Sequence, residues 1–503
     1  MRAVEAYGEL VRRSRERALL GSCSALLGWD EQTYLPRGGG AYRGDQMALL
    51  AGLHHERAVD PRVGALLAEV EGSGLVADPG SPEAANVREW RRGFDRVSRL
   101  PRPLVEELAR TTTVAQGVWV EARAASDFAR FRPSLEAIVG LKKQEAACLD
   151  PAGDPYDALL DEYEPGAKGR DLAALLEALR GDLVPLVAAI AEPGRAPAAP
   201  ALDGDYPVDR QRVFGEAVAS AIGFDFEGGR LDTAAHPFCS GIGPGDCRIT
   251  TRFDPVDAFD GFFSILHEVG HGLYEQGLAA EHQGTPMGEA ASLGVHESQS
   301  RLWENLVGRS RAFWSRWLPL ARSILGGPLR DAGLDAVSAA VRRVEPSMIR
   351  VQADEVTYNL HILIRFDLER ALIGGDLAVA DLPGAWNDRY RADLGVEPPD
   401  DARGCLQDIH WAAGLVGYFP TYTLGNLHAA QLWDRADADL GGLEPALARG
   451  DFAGLLDWLR VRIHRHGQRH RAADLIRLAT GADLDHRPLV RSLRSRYGPT
   501  HGA

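Results

Sequence analysis

The stretch DGFFSILHEVGHGLYEQG, at residues 260–277, restricts the fold of this chain more than any other part of it. It contains His267, Glu268 and His271 in the pattern HExxH. On a helix, two histidines at this spacing lie on one face, one turn apart, so both imidazoles can bind one metal ion. Glu268 projects about 100° further round, within reach of a water on that metal. The stretch therefore predicts a helix that binds a metal ion and activates water.

The flanking residues predict where this helix begins and ends. Asp254 suits the N-cap, Pro255 suits the first helical position, and Asp257 complements the helix dipole. Gly277 suits the C-cap. The apolar stripe of the helix comprises Phe259, Phe262, Phe263, Leu266, Leu273 and Tyr274. The alternative interpretation is a helix with two buried, hydrogen-bonded histidines.

A catalytic zinc site needs a third protein ligand and one open position for water. The best candidate is Glu297, on a predicted helix over about 291–307, after a loop long enough to turn the chain back. Glu289 and Glu304 are competing carboxylates. His296 is an alternative ligand, but adjacent residues on a helix cannot both face one metal well. Two histidines and a glutamate are a ligand set typical of zinc peptidases.

Helical periodicity dominates the rest of the chain. The segment 192–205, EPGRAPAAPALDGD, is a linker rich in Pro and Ala. We expect one domain over residues 1–503, with a helical N-terminal part over about 1–195 and a metal-site part over about 205–503. The clearest helical segments are Ala3–Leu27, Leu104–Ser126, Phe131–Leu149 and Leu172–Ala191.

Strand signal is concentrated just before the HExxH helix. In residues 235–253, two short β-rich runs flank Gly243-Pro244-Gly245, which predicts a hairpin. The free main-chain groups of a strand edge beside a zinc helix suit the alignment of an extended peptide. A purely structural hairpin is the alternative.

Composition and charge disfavour several classes of function. The net charge is −15 and the pI about 5.5, whereas nucleic-acid binding needs clustered Lys and Arg. The five cysteines are scattered without a CxxC pair, which predicts reduced thiols. The N-terminal residues lack the apolar core of a signal peptide, and no apolar run approaches the roughly 20 residues that span a bilayer. We therefore expect a cytoplasmic protein without membrane or nucleic-acid partners.

Three further segments are rich in functional residue types. Met348–Phe366 is predicted to be a helix with Arg350, Asp354 and His361 on one face, and Arg350 and Asp354 suit a surface ion pair four residues apart. The other two segments are GCLQDIHW at 404–411 and GYFPTYTLGN at 417–426. Their Tyr and His side chains suit the stabilisation of an oxyanion, and core aromatics with satisfied hydroxyls are the alternative.

Six motifs in this order resemble those of the carboxypeptidase Taq family of metallocarboxypeptidases. The stretch over 27–56 also resembles that family, and the resemblance extends from near residue 20 to residue 498. The six are HPF at 236–238, DCRIT at 246–250, HEVGH at 267–271, HES at 296–298, IRVQAD at 349–354 and GCLQDIHW at 404–411.

The resemblance implies a mainly α fold: a large helical body with a deep groove, a small sheet beside the HExxH helix, and a homodimer. It implies an enzyme dependent on Zn²⁺ or Co²⁺, with one ion per subunit, that removes C-terminal residues from peptides with broad specificity. The metal ligands would be His267, His271 and Glu297, and Glu268 the catalytic acid and base.

A mechanism follows as a hypothesis. Glu268 takes the proton of the attacking water and later delivers it to the leaving amine. The metal, with Tyr418, Tyr422 or His410, stabilises the oxyanion.

The free carboxylate of the substrate needs a cation, and a bidentate arginine suits it best. Arg350 is the first choice and Arg248 the second, with Asp246 and His236 as further substrate-binding residues. Asp408 or Gln407 is a further candidate, for orienting a zinc histidine. The competing hypotheses for the whole chain are an oligopeptidase that cuts inside short peptides and a catalytically silent helical binding protein.

Overall fold

The computed structural model describes residues 2–191 and 202–501 and is 70% helical, with one three-stranded sheet. This confirms the predicted fold class. The four predicted helical segments are helical except for Ser126, which is a C-cap with a φ of 52°. Of the predicted linker 192–205, residues 192–201 lie outside the described residues.

The α-helices vary from one and a half turns to nine. Among the described residues, no helix is both long and apolar enough to cross a membrane. In chain order the helices are α1 Arg2–Thr33, α2 Gly40–Ala58, α3 Pro61–Glu71, α4 Pro82–Arg99, α5 Arg102–Ala125, α6 Phe128–Leu149, α7 Pro155–Leu160, α8 Gly169–Ala191, α9 Val208–Ile222, α10 Ala258–Gly277, α11 Leu293–Arg301, α12 Arg311–Ile324, α13 Leu334–Ala340, α14 Tyr358–Gly374, α15 Leu382–Leu394, α16 Pro420–Leu440, α17 Glu444–Arg449, α18 Ala453–Arg462, α19 Ala472–Thr480 and α20 Arg487–His501.

The chain forms two compact units, each assembled from three separate stretches. The first unit takes its described residues from 1–98, 200–341 and 428–483, and the second from 99–199, 342–427 and 484–503. Both units use residues from either side of the 195–205 region, so neither coincides with the predicted N-terminal part or metal-site part. The single domain over 1–503 stays a prediction.

The sheet belongs to the first unit and has the order β1-β3-β2. Its strands are β1 Gly229–Thr233, β2 Cys239–Gly243 and β3 Asp246–Thr251. β2 and β3 form the predicted hairpin, and Gly245 in its turn has a φ of 76°, which favours glycine. β1 pairs in parallel with β3, a contact between separate chain segments that the sequence pattern did not indicate.

The HExxH helix, α10, begins three residues later than predicted. Its N-cap is Asp257, whose carboxylate accepts a hydrogen bond from the backbone N–H of Phe259. Asp254 instead accepts from the N–H of Val256 in the preceding turn, and Gly277 is the last helical residue rather than the cap. The buried face of α10, including Ile265, packs in the main core of the first unit.

The predicted helix over 348–366 is wrong in its first half. Residues 350–352 form a single 3₁₀ turn, and α14 begins only at Tyr358. The reason is Asp354, whose carboxylate accepts hydrogen bonds from the backbone N–H groups of Val356 and Thr357 and from the Thr357 hydroxyl. Asp354 therefore holds a turn that precedes the helix, instead of forming an ion pair with Arg350.

Candidate metal centre

The three predicted metal ligands lie together in the first unit. His267 and His271 project from α10, and Glu297 projects from α11. Glu297 Oε2 is 3.6 Å from His267 Nε2 and 3.3 Å from His271 Nε2. Among the described residues, these three form a cluster whose ligand atoms lie within 4.8 Å of one another. Glu297, rather than Glu289, is therefore the carboxylate that lies beside the two histidines.

A glycine inside the HExxH motif allows this approach. A Cβ atom on Gly270 would lie 2.5 Å from the carbonyl oxygen of Gln299 and 2.6 Å from the Cα of Ser300. No real Cβ tolerates such distances, so any side chain at this position would push α11 away from α10. Gly270 therefore places the carboxylate of Glu297 within reach of both imidazoles.

His267 is held by a carboxylate. Its Nδ1 is 2.9 Å from Glu304 Oε2, and Glu304 also accepts hydrogen bonds from Arg301 and Arg309. Burial would raise the pKa of Glu304, but the charge of Arg301 and the bond to His267 outweigh it and lower the pKa to about 2. Because an ionised carboxylate can only accept, Nδ1 of His267 carries the proton when the ring is neutral, and Nε2 is then the nitrogen that can bind a metal.

His271 is held by a second imidazole. Its Nδ1 is 2.5 Å from Nδ1 of His296, the two rings are stacked, and Nε2 of His296 is 2.8 Å from Glu275 Oε1. When His296 is neutral, its Nε2–H donates to Glu275, so its Nδ1 accepts the proton of His271 Nδ1. Nε2 of His271 is therefore also free for a metal.

Glu297 is anchored by two neighbours on its own helix, Ser300 and Arg301. Its Oε1 accepts from Nε of Arg301 at 2.7 Å, and its Oε2 accepts from the Ser300 hydroxyl at 3.0 Å. Two imidazole Nε2 atoms and a carboxylate oxygen, all oriented by other side chains, are a donor set that suits a divalent metal such as zinc. The residues therefore fit a divalent metal ion.

The ionisable groups of the centre have very different pKa values. Burial raises the pKa of the Glu268 carboxyl to about 7. Burial also lowers the pKa of His271 to about 3, with His296 adding to the effect. For His267, the charge of Glu297 and the bond to Glu304 outweigh burial and raise the pKa to about 9, so a metal ion that binds this ring would displace the proton from Nε2. Glu268, at 5% exposure, is a buried carboxyl whose pKa lies nearer neutrality than that of an exposed glutamate.

Arg350 lies in the second unit, in a cluster that we call the arginine cluster: Arg350, Arg365 and Asp408. Nε and Nη2 of Arg350 donate to Oδ1 of Asp408 at 3.0 and 2.9 Å, and Nη1 donates to the Tyr358 hydroxyl. Nε of Arg365 donates to the other oxygen of Asp408 at 2.7 Å. Burial would raise the pKa of Asp408, but the two guanidinium groups hold it well below its ordinary value.

The predicted oxyanion residues lie beside the arginine cluster. His410 Nε2 is 3.2 Å from the Tyr422 hydroxyl, and the rings of Tyr418 and Tyr422 are in edge contact. The guanidinium of Arg350 lies 5.2 Å from the ring centre of Tyr422. Burial lowers the pKa of His410 to about 4, so its imidazole is neutral at pH 7. The structure therefore brings Arg350, His410 and both tyrosines together in one unit.

The second-choice arginine, Arg248, lies in the first unit on β3. Its guanidinium donates to both carboxylate oxygens of Asp246 at 2.8 Å and covers the ring of Trp29 at 4.2 Å. His236 is exposed, in the loop between β1 and β2. The assignment of these residues to substrate binding stays a prediction.

Asp408 and Gln407, predicted as candidates for orienting a metal-binding histidine, contact neither histidine. Asp408 binds two arginines, and Gln407 accepts from the backbone N–H of Arg350. The partners of His267 and His271 are Glu304 and His296. Spacing indicates the group behind His296: Glu275 follows His271 by four residues on α10 and so shares a helix face with it. Sequence reasoning missed Glu275, Arg301 and Arg309.

The chain is similar to known metallopeptidases over almost its whole length. A family model for the carboxypeptidase Taq (M32) metallopeptidases matches residues 9–497. Thermostable carboxypeptidase 1 of Thermus thermophilus is 50% identical, with 99% of each chain covered.

Solved structures agree with the match in sequence. The M32 carboxypeptidase of Deinococcus radiodurans superposes with a TM-score of 0.95 at 42% identity, covering 99% of this chain and 100% of that one. Metallocarboxypeptidase 1 of Trypanosoma cruzi superposes with a TM-score of 0.94 at 34% identity, covering 98% of this chain and 99% of that one.

Proposed function

The chain belongs to the carboxypeptidase Taq (M32) family and is a metal-dependent carboxypeptidase, and we propose that Glu268 is its general base and acid. The observation that carries this proposal is the arrangement of His267, His271 and Glu297 around one point, with Glu268 on the same helix. A catalytic site of this kind holds a metal with three protein ligands and leaves one position open.

We propose Zn²⁺ as the metal, one ion per subunit, because two imidazole nitrogens and one carboxylate oxygen are a donor set that zinc favours. Such an ion supplies a Lewis acid that acidifies water and polarises a carbonyl group. Co²⁺ is the alternative ion. Glu304 and His296 fix the ring orientation of the two histidines, so the site is held ready for the ion by the chain itself.

Glu268 performs the two proton transfers. As a carboxylate it accepts the proton of the attacking water, and as a carboxylic acid it donates that proton to the leaving amine. Its pKa of about 7, raised by burial, makes both forms accessible at neutral pH. An ordinary exposed glutamate, with a pKa near 4.3, would be a poor proton donor there.

Arg350 is proposed to bind the free carboxylate of the substrate. Two guanidinium groups share the single carboxylate of Asp408, so the arginine cluster carries one excess positive charge. Arg350 is buried at 7% exposure, and a buried excess charge favours an anionic partner. Arg248, already paired with both oxygens of Asp246, is the second choice, and Asp246 and His236 are proposed to contact the substrate.

The oxyanion is proposed to be stabilised by a group beside the arginine cluster. Tyr418 and Tyr422 carry hydroxyl donors, and His410 is held neutral by burial and bonded to the Tyr422 hydroxyl. A phenol hydroxyl and a neutral imidazole N–H can each donate a hydrogen bond to a developing negative charge.

For the whole protein we propose a homodimer in the cytoplasm that acts on peptides with broad specificity and has no nucleic-acid partner. All five cysteines are free thiols, as expected in a reducing compartment. The net charge of −15 supports peptides rather than nucleic acids as partners.

Mass spectrometry of peptide products tests the proposed function. The metal-stripped protein, supplied with Zn²⁺ or Co²⁺, is expected to convert a peptide into a ladder that shortens one residue at a time from the C-terminus. A C-terminally amidated copy of the peptide is the control and should be a poor substrate. Internal fragments from the amidated copy would instead identify an oligopeptidase, and the absence of any product with either metal would contradict the proposal.

A further inference from the structure

The arginine proposed to bind the substrate carboxylate lies on a loop rather than within a long helix. The loop spans residues 342–357, and its one regular element is the 3₁₀ turn Arg350–Gln352. Val351, next to Arg350, is 72% exposed, so the backbone at this point lies at the surface. The position of the Arg350 backbone therefore depends strongly on the hydrogen bonds and ion pairs that hold the loop.

Hydrogen bonds near Arg350 connect this loop to a second irregular segment. The backbone N–H of Arg350 donates to Oε1 of Gln407 at 2.9 Å, and Nε2 of Gln407 donates to the carbonyl oxygen of Met348 at 3.0 Å. Gln407 lies in the stretch 395–419, which contains no helix or strand. These bonds join two irregular segments, so they do not attach the loop to a helix.

The last helix, α20, holds the loop near both of its ends. The guanidinium of Arg496 donates to both carboxylate oxygens of Glu355, from Nη1 to Oε2 at 2.6 Å. The Tyr497 hydroxyl donates to the same Oε2 at 2.6 Å. At the other end of the loop, Nη1 of Arg342 donates to the backbone carbonyl oxygen of Arg496 at 3.3 Å. Two consecutive residues of α20 therefore bind residues 342 and 355.

This attachment is shielded from water. The side chains of Arg496 and Glu355 are 14% and 6% exposed, and Tyr497 is 1% exposed. A bidentate pair of charged groups fixes their relative orientation as well as their distance. The helix itself packs against α8 and buries three apolar residues nearer its start: Leu489, Val490 and Leu493. The loop is therefore attached to the packed helices of the second unit.

We propose that Arg496 and Tyr497 are positioning residues for substrate binding, because through Glu355 they fix the loop that places Arg350. The proposal rests on the proposed role of Arg350. Asp408 and Tyr358 hold the guanidinium of Arg350, whereas α20 holds the loop that carries its backbone.

The expected effect of this attachment is on substrate binding rather than on turnover. Two hydrogen bonds to one carboxylate must form together, so a small displacement of the Arg350 guanidinium weakens both of them. The proton transfers proposed for Glu268 take place at the metal centre, which belongs to the first unit. Loss of the attachment should therefore raise KM and leave kcat nearly unchanged.

The first test is Arg496→Met, which removes the guanidinium and keeps an apolar side chain of similar length. In the metal-loaded enzyme, KM for a peptide with a free C-terminus should rise about five- to tenfold, and kcat should change less than about twofold. The amidated analogue should be affected as little as it is by Arg350→Ala. A fall in kcat with an unchanged KM would overturn the proposal.

The matched control is Arg494→Met on the same helix. Nη2 of Arg494 donates to Asp182 of α8 at 2.9 Å, so this arginine also attaches α20, but to another helix instead of the loop. Its KM and kcat should equal those of the wild type. A rise in KM as large as that of Arg496→Met would show a general effect of loosening α20, and would overturn the proposal.

A milder variant, Tyr497→Phe, covers the case in which Arg496→Met does not fold. It keeps the buried ring and removes one hydrogen bond to Glu355, so KM for the free peptide should rise about two- to threefold. Scanning calorimetry should show that the variant is folded. A folded Tyr497→Phe enzyme with the wild-type KM would overturn the proposal.

Combination with Arg350→Ala shows whether Arg496 acts through Arg350. In the Arg350→Ala background, Arg496→Met should change KM by less than about twofold, since the side chain to be positioned is gone. A further five- to tenfold rise, about the full effect of the single variant, would overturn the proposal.

The same combination keeps the positioning role separate from the proposed function of Arg350. If Arg350→Ala raises KM equally for the free and the amidated peptide, its role in carboxylate binding is wrong. The absence of a further effect of Arg496→Met in that background would still uphold Arg496 as the residue that positions Arg350.

Discussion

The metal centre and the arginine cluster are both buried groups of charged side chains, but they differ in how their atoms are arranged. At the metal centre, the ligand atoms of His267, His271 and Glu297 lie within 4.8 Å of one another. The carboxylates of Glu297 and Glu304 are paired with the guanidinium groups of Arg301 and Arg309. The convergence of three ligand atoms, rather than an excess of negative charge, therefore favours a cation as the partner of this centre.

The arginine cluster has two guanidinium groups for one carboxylate, so it favours an anion as its partner. The terminal carboxylate of a peptide is such an anion. The comparison shows that two buried clusters of charged side chains favour different partners, one through the convergence of its ligand atoms and the other through an unbalanced charge.

The strongest test of the metal centre is Glu268→Gln. Glutamine keeps the shape and burial of the side chain but can neither accept nor donate the proton, so kcat should fall by about 10²–10⁴. Metal content, measured by elemental analysis, should stay at the wild-type level because the three ligands are intact. Near-normal turnover with bound metal would remove Glu268 from the reaction.

The arginine cluster is tested by Arg350→Ala. Loss of a charge-assisted pair should raise KM for a peptide with a free C-terminus by about 10- to 100-fold, and far less for the amidated analogue. Arg248→Ala is the matched comparison, because Arg248 also pairs with an aspartate but has no excess charge beside it. Equal effects of Arg350→Ala on both peptides would exclude Arg350 from carboxylate binding.

The two histidine partners test the orientation of the metal ligands. Glu304→Gln and His296→Gln should each weaken metal binding by about 10- to 100-fold, measured by competition with a chelator, since each removes a group that holds an imidazole in place. In the Co²⁺ enzyme, each change should shift the proton resonances of one histidine only: His267 for Glu304→Gln and His271 for His296→Gln. A common loss of both sets of resonances would indicate general unfolding of the site instead.

The smallest effect concerns stability rather than turnover. Glu369, in the second unit, is 1% exposed and accepts hydrogen bonds from three neutral donors among the described residues, Tyr156, Trp411 and Gly417. Burial therefore raises its pKa to about 7, in contrast to Asp408, whose arginines hold its pKa low. Between about pH 4.5 and 7 the folded state holds a proton that the unfolded state has lost, so this group makes stability fall as pH rises.

The thermal midpoint of the wild type should therefore fall by a few degrees relative to Glu369→Gln between pH 5 and 8, as measured by scanning calorimetry. The variant has no carboxyl at this position, so the difference between the two curves isolates Glu369. Parallel curves would show that Glu369 titrates normally.

The local sequence pattern was sufficient to predict much of the secondary structure. The helices α1, α5, α6 and α8 were predicted from apolar residues at three- and four-residue spacing, and the β2–β3 hairpin from its Gly-Pro-Gly turn. The segment over 348–366 was predicted wrongly because the same spacing also occurs in a turn. The hydrogen bonds that the Asp354 side chain accepts from Val356 and Thr357 stabilise this turn, and the spacing of apolar residues does not indicate such bonds.

In the site, the sequence alone determined the arrangement of residues within one helix. His267 and His271 lie one turn apart, and Glu268 is next to His267. The tertiary structure decided the rest, because it depends on how closely separate segments approach. Contact at Gly270 brings α11 and the carboxylate of Glu297 to the histidines, which also selects Glu304 and His296 as their partners. Arg350 and Asp408 are 58 positions apart in the sequence, so their ion pair also depends on the tertiary structure.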